Sequence, residues 1–199
     1  MSDWPIRKIE VGDAWRVIRG RLHEWIGIVL HHGAANASAE RHDIQAYANY
    51  HVLGVDKGGR GYSDLGYHFG IEEDGGIWIS DAGDRARWIW QRPGGHTKAT
   101  KSLDGKIVMS AGVNDSCVGI CFAGDFNVQE LTPEAFQSGV RLCVELMRGG
   151  IHQNADAIYP HSRFQVKDCP GKKFPFERFV NIVSVEIRKF VPAQGGALK

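Results

Sequence analysis

The chain has 199 residues, which suits one domain, or a domain with a small extension, and allows a substantial buried core. An apolar fraction of 43% and a charged fraction of 24% are those of a soluble globular protein, and a formal net charge of +1 removes any global electrostatic case for nucleic acid or an anionic membrane. The first residues are studded with charges and lack an apolar signal core, and no apolar run could span a bilayer. Cytosolic synthesis without a secretory signal, and no stable membrane association, are therefore expected.

In chain order, residues 1–25 read as an N-terminal extension packed on the domain. "IGIVLHHG" (Ile26–Gly33) reads as a buried strand: a short β-branched run stopped by glycine. Ser38–Gly54 reads as a helix with Ser38 as its N-cap and Ile44, Tyr47, Ala48 and His51 on one face. Gly58–Asp64 is a loop. Leu65–Ser80 is a hairpin turning at Asp-Gly-Gly. Asp84–Asp115 is glycine-rich with poor periodicity and reads as a long ordered surface segment, where substrate contacts tend to collect.

Ser116–Phe126 reads as a second buried strand. Leu131–Gly150 gives the clearest helix: Thr132 caps it, Pro133 sits at its first position, and Phe136, Val140, Cys143, Val144 and Met147 form the apolar stripe. Phe174–Phe190 reads as a C-terminal helix, and residues 192–199 as a tail. Interleaved strands and helices with one hairpin predict a single α/β domain over residues 26–191, a central mixed β-sheet flanked by helices.

Four cysteines, Cys117, Cys121, Cys143 and Cys169, form no CxxC pair and no dense disulfide framework. Free thiols are the simpler reading. Three positions permit a shared metal: His31 or His32 at the end of a strand, His161 before a loop, and Cys169 at the end of that loop. Zinc accepts two imidazoles and one thiolate and leaves a fourth position for water. Only one of His31 and His32 can face a given site, because neighbouring strand residues point to opposite faces. By spacing alone, packed histidines and a core cysteine are the commoner outcome.

The ordered set "IVLHHGA", "GYHFGI", "GGHT", "NDSCVGICFAGDFN" and "HSRFQVKDCPG" resembles the N-acetylmuramoyl-L-alanine amidase family of type 2. That family includes phage lysozyme-like amidases and the peptidoglycan recognition proteins. The likeness runs from about Ile26 to Phe179. It implies Zn2+ held by His31, His161 and Cys169, with Tyr67 and Lys167 as catalytic residues, and hydrolysis of the bond between N-acetylmuramic acid and L-alanine. Cys169 sits nearest the phage lysozyme-like branch, since other branches carry Asp there and relatives that only bind typically lack the cysteine. His96 and Asn114 match positions near the substrate cleft. Cys117 stands where serine is usual, as a packing substitution. His32 and His68 are assigned to structure.

The implied chemistry is physically coherent. A zinc ion acidifies its water and polarises a carbonyl, Lys167 stabilises the growing oxyanion, and Tyr67 orients the water or shares that stabilisation. Trp88 and Arg87 offer an aromatic face for a sugar ring and a guanidinium for a stem-peptide carboxylate, with the tryptophans equally readable as core. A peptidoglycan or muropeptide substrate, a monomer and no nucleic-acid partner are expected. A phage or prophage endolysin and a cytosolic muropeptide-recycling amidase both suit this chain. Two rival readings stand beside the amidase: a silent peptidoglycan-binding module of the same fold, and a cysteine peptidase with Cys169 as nucleophile and His161 as base.

Overall fold

The computed structural model describes residues 2–14, 16, 25–34, 43–86, 92–151 and 155–190. Its centre is a mixed six-stranded sheet. The strands are β1 (Ile6–Ile9), β2 (Gly27–His32), β3 (Phe69–Ile71), β4 (Ile77–Ser80), β5 (Cys117–Phe122) and β6 (Ile158–Pro160), in the spatial order β1-β4-β3-β5-β2-β6. Strands β3, β5, β2 and β6 run parallel, while the β3–β4 hairpin and the β4–β1 pair are antiparallel. Every residue of β2 and β5 is buried, as expected for parallel strands covered on both faces.

Two helices cover one face. Helices α2 (Pro133–Arg148) and α3 (Phe176–Arg188) pack with Ile28, Leu30, Val118, Ile120 and Phe122 in the main core. Thr132 caps α2 by accepting a hydrogen bond from the Ala135 N–H at 3.2 Å, with Pro133 directly after it. Gly139 lets α2 lie close to the sheet, since a Cβ there would stand 2.6 Å from the Phe122 ring.

The other face receives helix α1 (Asp43–Val52), whose Ile44 fills the space above Gly70. The Glu72 carboxylate accepts from the Ile44 N–H at 2.8 Å, placing an anion at the helix N-terminus. The expected cap Ser38 lies outside the described residues, as does the tail after residue 190. Among the described residues, 92–116 also pack on this face. The expected surface segment is here partly interior: His96, Thr97, Ser102, Met109 and Val113 are buried. Met109 and Val113 join Val29, Cys117 and Phe164 in a second core cluster. The segment shows no periodicity because single apolar residues, not a repeating face, make its contacts.

Strand β1 lies within the segment read as an extension and forms one edge of the sheet. Trp4, just before it, donates through Nε1 to Asp64 Oδ1 at 2.9 Å and to Ser80 Oγ at 3.2 Å. No described helix is long and apolar enough to cross a membrane.

Candidate metal centre and active site

His31 and His32 end β2 on opposite faces. His32 stacks on Phe126 and accepts from its N–H at 3.2 Å, a packing role on the α2–α3 side. His31, 1% exposed, lies on the α1 side. Strand β6 pairs in parallel with β2, opposing Pro160 to Leu30, so the next residue, His161, emerges beside His31. Their ring centroids are 4.4 Å apart. The loop after His161 then folds back: Ser162 N–H donates to the Cys169 carbonyl at 2.8 Å. This sets Cys169 Sγ 3.9 Å from His31 Nδ1.

One ligand atom from each of His31, His161 and Cys169 lies within 4.8 Å of the other two. Tetrahedral zinc holds nitrogen and sulfur at about 2.0–2.3 Å, which spaces its donors by roughly 3.5 Å. Small side-chain adjustments would close the set. The donor chemistry also fits. Burial, aided by neighbouring His96 and His161, pushes the His31 imidazole well below its ordinary proton affinity. Burial and then the Lys167 charge bring His161 down to about 4. Both rings are thus neutral at physiological pH, as metal ligands must be. Without a metal, burial pushes the Cys169 thiol up to about 11. A nucleophilic cysteine needs a depressed value, so these surroundings disfavour the cysteine-peptidase reading.

Tyr67 enters β3 between two short ties: Gly66 N–H donates to His51 Nδ1 at 3.0 Å, and His68 N–H to the Gly119 carbonyl at 2.9 Å. Its half-buried ring lies 5.1 Å from that of His31 and 5.4 Å from that of His51. Burial raises the phenol well above its ordinary value. Tyr67 therefore stays a neutral O–H donor. Lys167 is exposed on the folded-back loop, close enough for its charge to lower the proton affinity of His31, His161 and Cys169.

His96 and Asn114, expected near the substrate cleft, lie behind His31. His96 Nδ1 is 3.0 Å from His31 Nε2 and 3.1 Å from Thr97 Oγ1, and His96 Nε2 is 3.2 Å from the Cys117 carbonyl. Asn114 Oδ1 accepts from the His96 and Thr97 N–H groups at 2.9 and 2.7 Å. His68 bonds the Gly119 N–H and the Arg92 carbonyl and packs edge-on against Trp25. Trp88 and Arg87 lie outside the described residues.

Three contributors escaped sequence reasoning. Gln165 Oε1 lies 3.1 Å from His161 Nε2. Its position inside the His161–Cys169 loop was the available signal. Gly119 leaves room for the His96 ring, since a Cβ there would fall 2.6 Å from two ring carbons. A glycine inside an apolar strand is the sign of such a close approach. Cys121, read as a free thiol, is buried and opposes His31 across the β2–β5 pair, on the site's side of the sheet.

Comparison with known proteins bears on the family and the fold. The model of the N-acetylmuramoyl-L-alanine amidase family matches residues 22–172. Peptidoglycan-recognition protein SC1a of Drosophila melanogaster is 24% identical over 164 residues, covering 80% of this chain and 74% of that one. Among solved structures, the endolysin N-acetylmuramoyl-L-alanine amidase LysCS from Clostridium intestinale superposes with a TM-score of 0.53 at 24% identity, covering 90% of this chain and 89% of its own. Peptidoglycan recognition protein-LE, in complex with tracheal cytotoxin, a monomeric diaminopimelic acid-type peptidoglycan, gives a TM-score of 0.54 at 21% identity over 83% and 89%. These structural likenesses bear on the fold.

Proposed function

Because the chain belongs to the N-acetylmuramoyl-L-alanine amidase family, we propose that it is a zinc-dependent hydrolase of the amide bond between N-acetylmuramic acid and L-alanine in peptidoglycan or a muropeptide. The observation that carries this reading is the convergence of His31, His161 and Cys169 within 4.8 Å, with Tyr67 against His31 and the Lys167 charge felt by all three. A module that only binds peptidoglycan needs none of these groups to meet.

His31, His161 and Cys169 would hold the ion, which when bound supplies a Lewis acid and an acidified water. The chain's own residues supply the rest. The buried central strand fixes His31, and the loop closed by the Ser162–Cys169 bond fixes the thiol. Tyr67 donates from a neutral hydroxyl and orients the attacking water. Lys167, exposed on the same loop, stabilises the negative charge on the scissile carbonyl oxygen, the task of an oxyanion donor. The product amine is the freed N-terminus of L-alanine.

Zinc-loaded protein incubated with sacculi, and separately with a soluble anhydro-muropeptide, should release free amino groups that mass spectrometry assigns to L-alanine, and chelator should stop the release. Binding to sacculi with no new amino groups would favour the silent binding module. Activity that survives chelator and dies with iodoacetamide would favour the thiol enzyme. Preference for the polymer supports an endolysin-like role, and preference for the fragment supports recycling.

A further inference from the structure

Residues 96–114 touch His31 through His96 and hold Gln165, the neighbour of His161, through the Lys98 carbonyl. We propose that this segment presets which nitrogen of His31 and of His161 is offered to the metal, acting on the first through His96 and on the second through Gln165. His96 and Gln165 are thus positioning residues. This rests on the metal-centre reading.

The chain of donors starts at the Cys117 carbonyl, 3.2 Å from His96 Nε2. A carbonyl only accepts, so Nε2 carries the hydrogen. With the hydrogen on Nε2, the neutral ring carries its lone pair on Nδ1, which also lies 3.1 Å from the Thr97 hydroxyl, a group able to donate to it. That lone pair faces His31 Nε2 at 3.0 Å, which must then donate. The His31 lone pair is left on Nδ1, the nitrogen that faces Cys169 Sγ at 3.9 Å. The His96 ring is held where it can do this. It lies in space that Gly119 and Gly94 leave open, where added Cβ atoms would stand 2.6 and 2.2 Å from its carbons. Asn114 pins the backbone at 96 and 97.

The second imidazole is set from the same segment. The Gln165 amide nitrogen donates to the Lys98 carbonyl at 3.4 Å, which turns the amide oxygen toward His161 Nε2 at 3.1 Å. Nε2 again carries the hydrogen and Nδ1 the lone pair. Two further ties hold the loop against the segment. Arg163 pairs with Asp104 at 2.8 Å, and Leu103 N–H donates to the Arg163 carbonyl at 2.9 Å. Metal-binding histidines usually direct their second nitrogen to a carboxylate, carbonyl or water, and loss of that partner commonly weakens metal binding by ~10–100-fold.

Two measurements decide the matter. NMR of metal-free wild-type protein labelled at its imidazole nitrogens should show His31 and His161 both protonated at Nε2. Zinc affinity, measured by competition with a chromophoric chelator, should fall ~10–100-fold in His96→Leu and in Gln165→Leu. His96→Asn keeps an acceptor near the place of Nδ1 and should lose much less. Melting curves identify variants that fold. A proton on Nδ1 of either ligand in the wild type overturns the proposal whatever the variants do. So does a folded His96→Leu protein that binds zinc as tightly as wild type. Wild-type protein that takes up no zinc removes the metal-centre reading and this inference together, whereas zinc uptake with an indifferent leucine variant removes the inference alone.

Discussion

Lys167 stands in solvent, yet its charge lowers the proton affinity of His31, His161 and Cys169. It is exposed on the loop that carries Cys169. Replacing it should leave the donor set intact and remove one stabiliser of the oxyanion. Lys167→Ala is expected to keep wild-type zinc content and to lose ~10²–10³ in kcat, the usual cost of one such donor. Zinc content by metal analysis, together with turnover on a muropeptide, checks both halves. A near-normal rate would mean the charge on the carbonyl oxygen is met elsewhere. Among the donors themselves, His161 has a folded-state value of about 4 against roughly 6.5 for a free histidine. The unfolded chain binds that proton more readily, so lowering pH favours unfolding. Metal-free protein should keep the full contribution above about pH 6.5 and lose about 3 kcal/mol by pH 4, with His31 acting in the same direction. Urea titrations of metal-free protein across that window would show it. A flat profile would mean that His161 is more solvated than its 6% exposure indicates.

At the level of elements, stability and chemistry fall on different faces of the sheet, so they can be perturbed separately. Thr132 both caps α2 and donates from its hydroxyl to the Glu73 carbonyl at 2.6 Å, joining the helix to the β3–β4 turn. Thr132→Ala should cost ~1 kcal/mol, read as a lower urea midpoint with an unchanged slope, and should leave zinc affinity alone. This division also explains what the sequence made legible. Helix α2 announces itself through cap, proline and apolar stripe, and β2 and β5 through short, largely apolar runs. Strands β1 and β6 have four and three residues, and their existence depends on partners far along the chain, Ile77–Ser80 for one and Ile28–Leu30 for the other. No local pattern encodes that pairing. The candidate site divides in the same way. His31, His161, Cys169, Tyr67 and Lys167 sit in recognisable motifs. Gln165 and the orientation of His96 follow from backbone placement and a glycine on a neighbouring strand, which become visible only once the chain is folded.

Across the whole molecule, the proposed ion would join positions 138 residues apart in sequence, His31 on the central strand and Cys169 on a late loop. His31 is the penultimate residue of β2 and His161 directly follows β6, so both imidazoles sit at the carboxyl ends of parallel strands, the side of an open α/β sheet where ligands characteristically gather. An ion held there binds only the folded chain, because the unfolded chain scatters its donors. Binding to the native state alone raises stability by RT ln(1 + [L]/Kd), about 2.7 kcal/mol at a free zinc concentration of one hundred times Kd. Wild-type protein should therefore melt at progressively higher temperature as free zinc is raised in a metal buffer, and lose that gain on addition of chelator. Cys169→Ala removes the only thiolate donor of the set and should melt at one temperature whatever the zinc concentration. Lys167→Ala keeps all three donors and should track the wild type. A zinc response in Cys169→Ala as large as that of the wild type would place the ion elsewhere in the molecule. A loss of response in both variants would mean that the lysine charge, and not the donor set alone, governs whether the site closes.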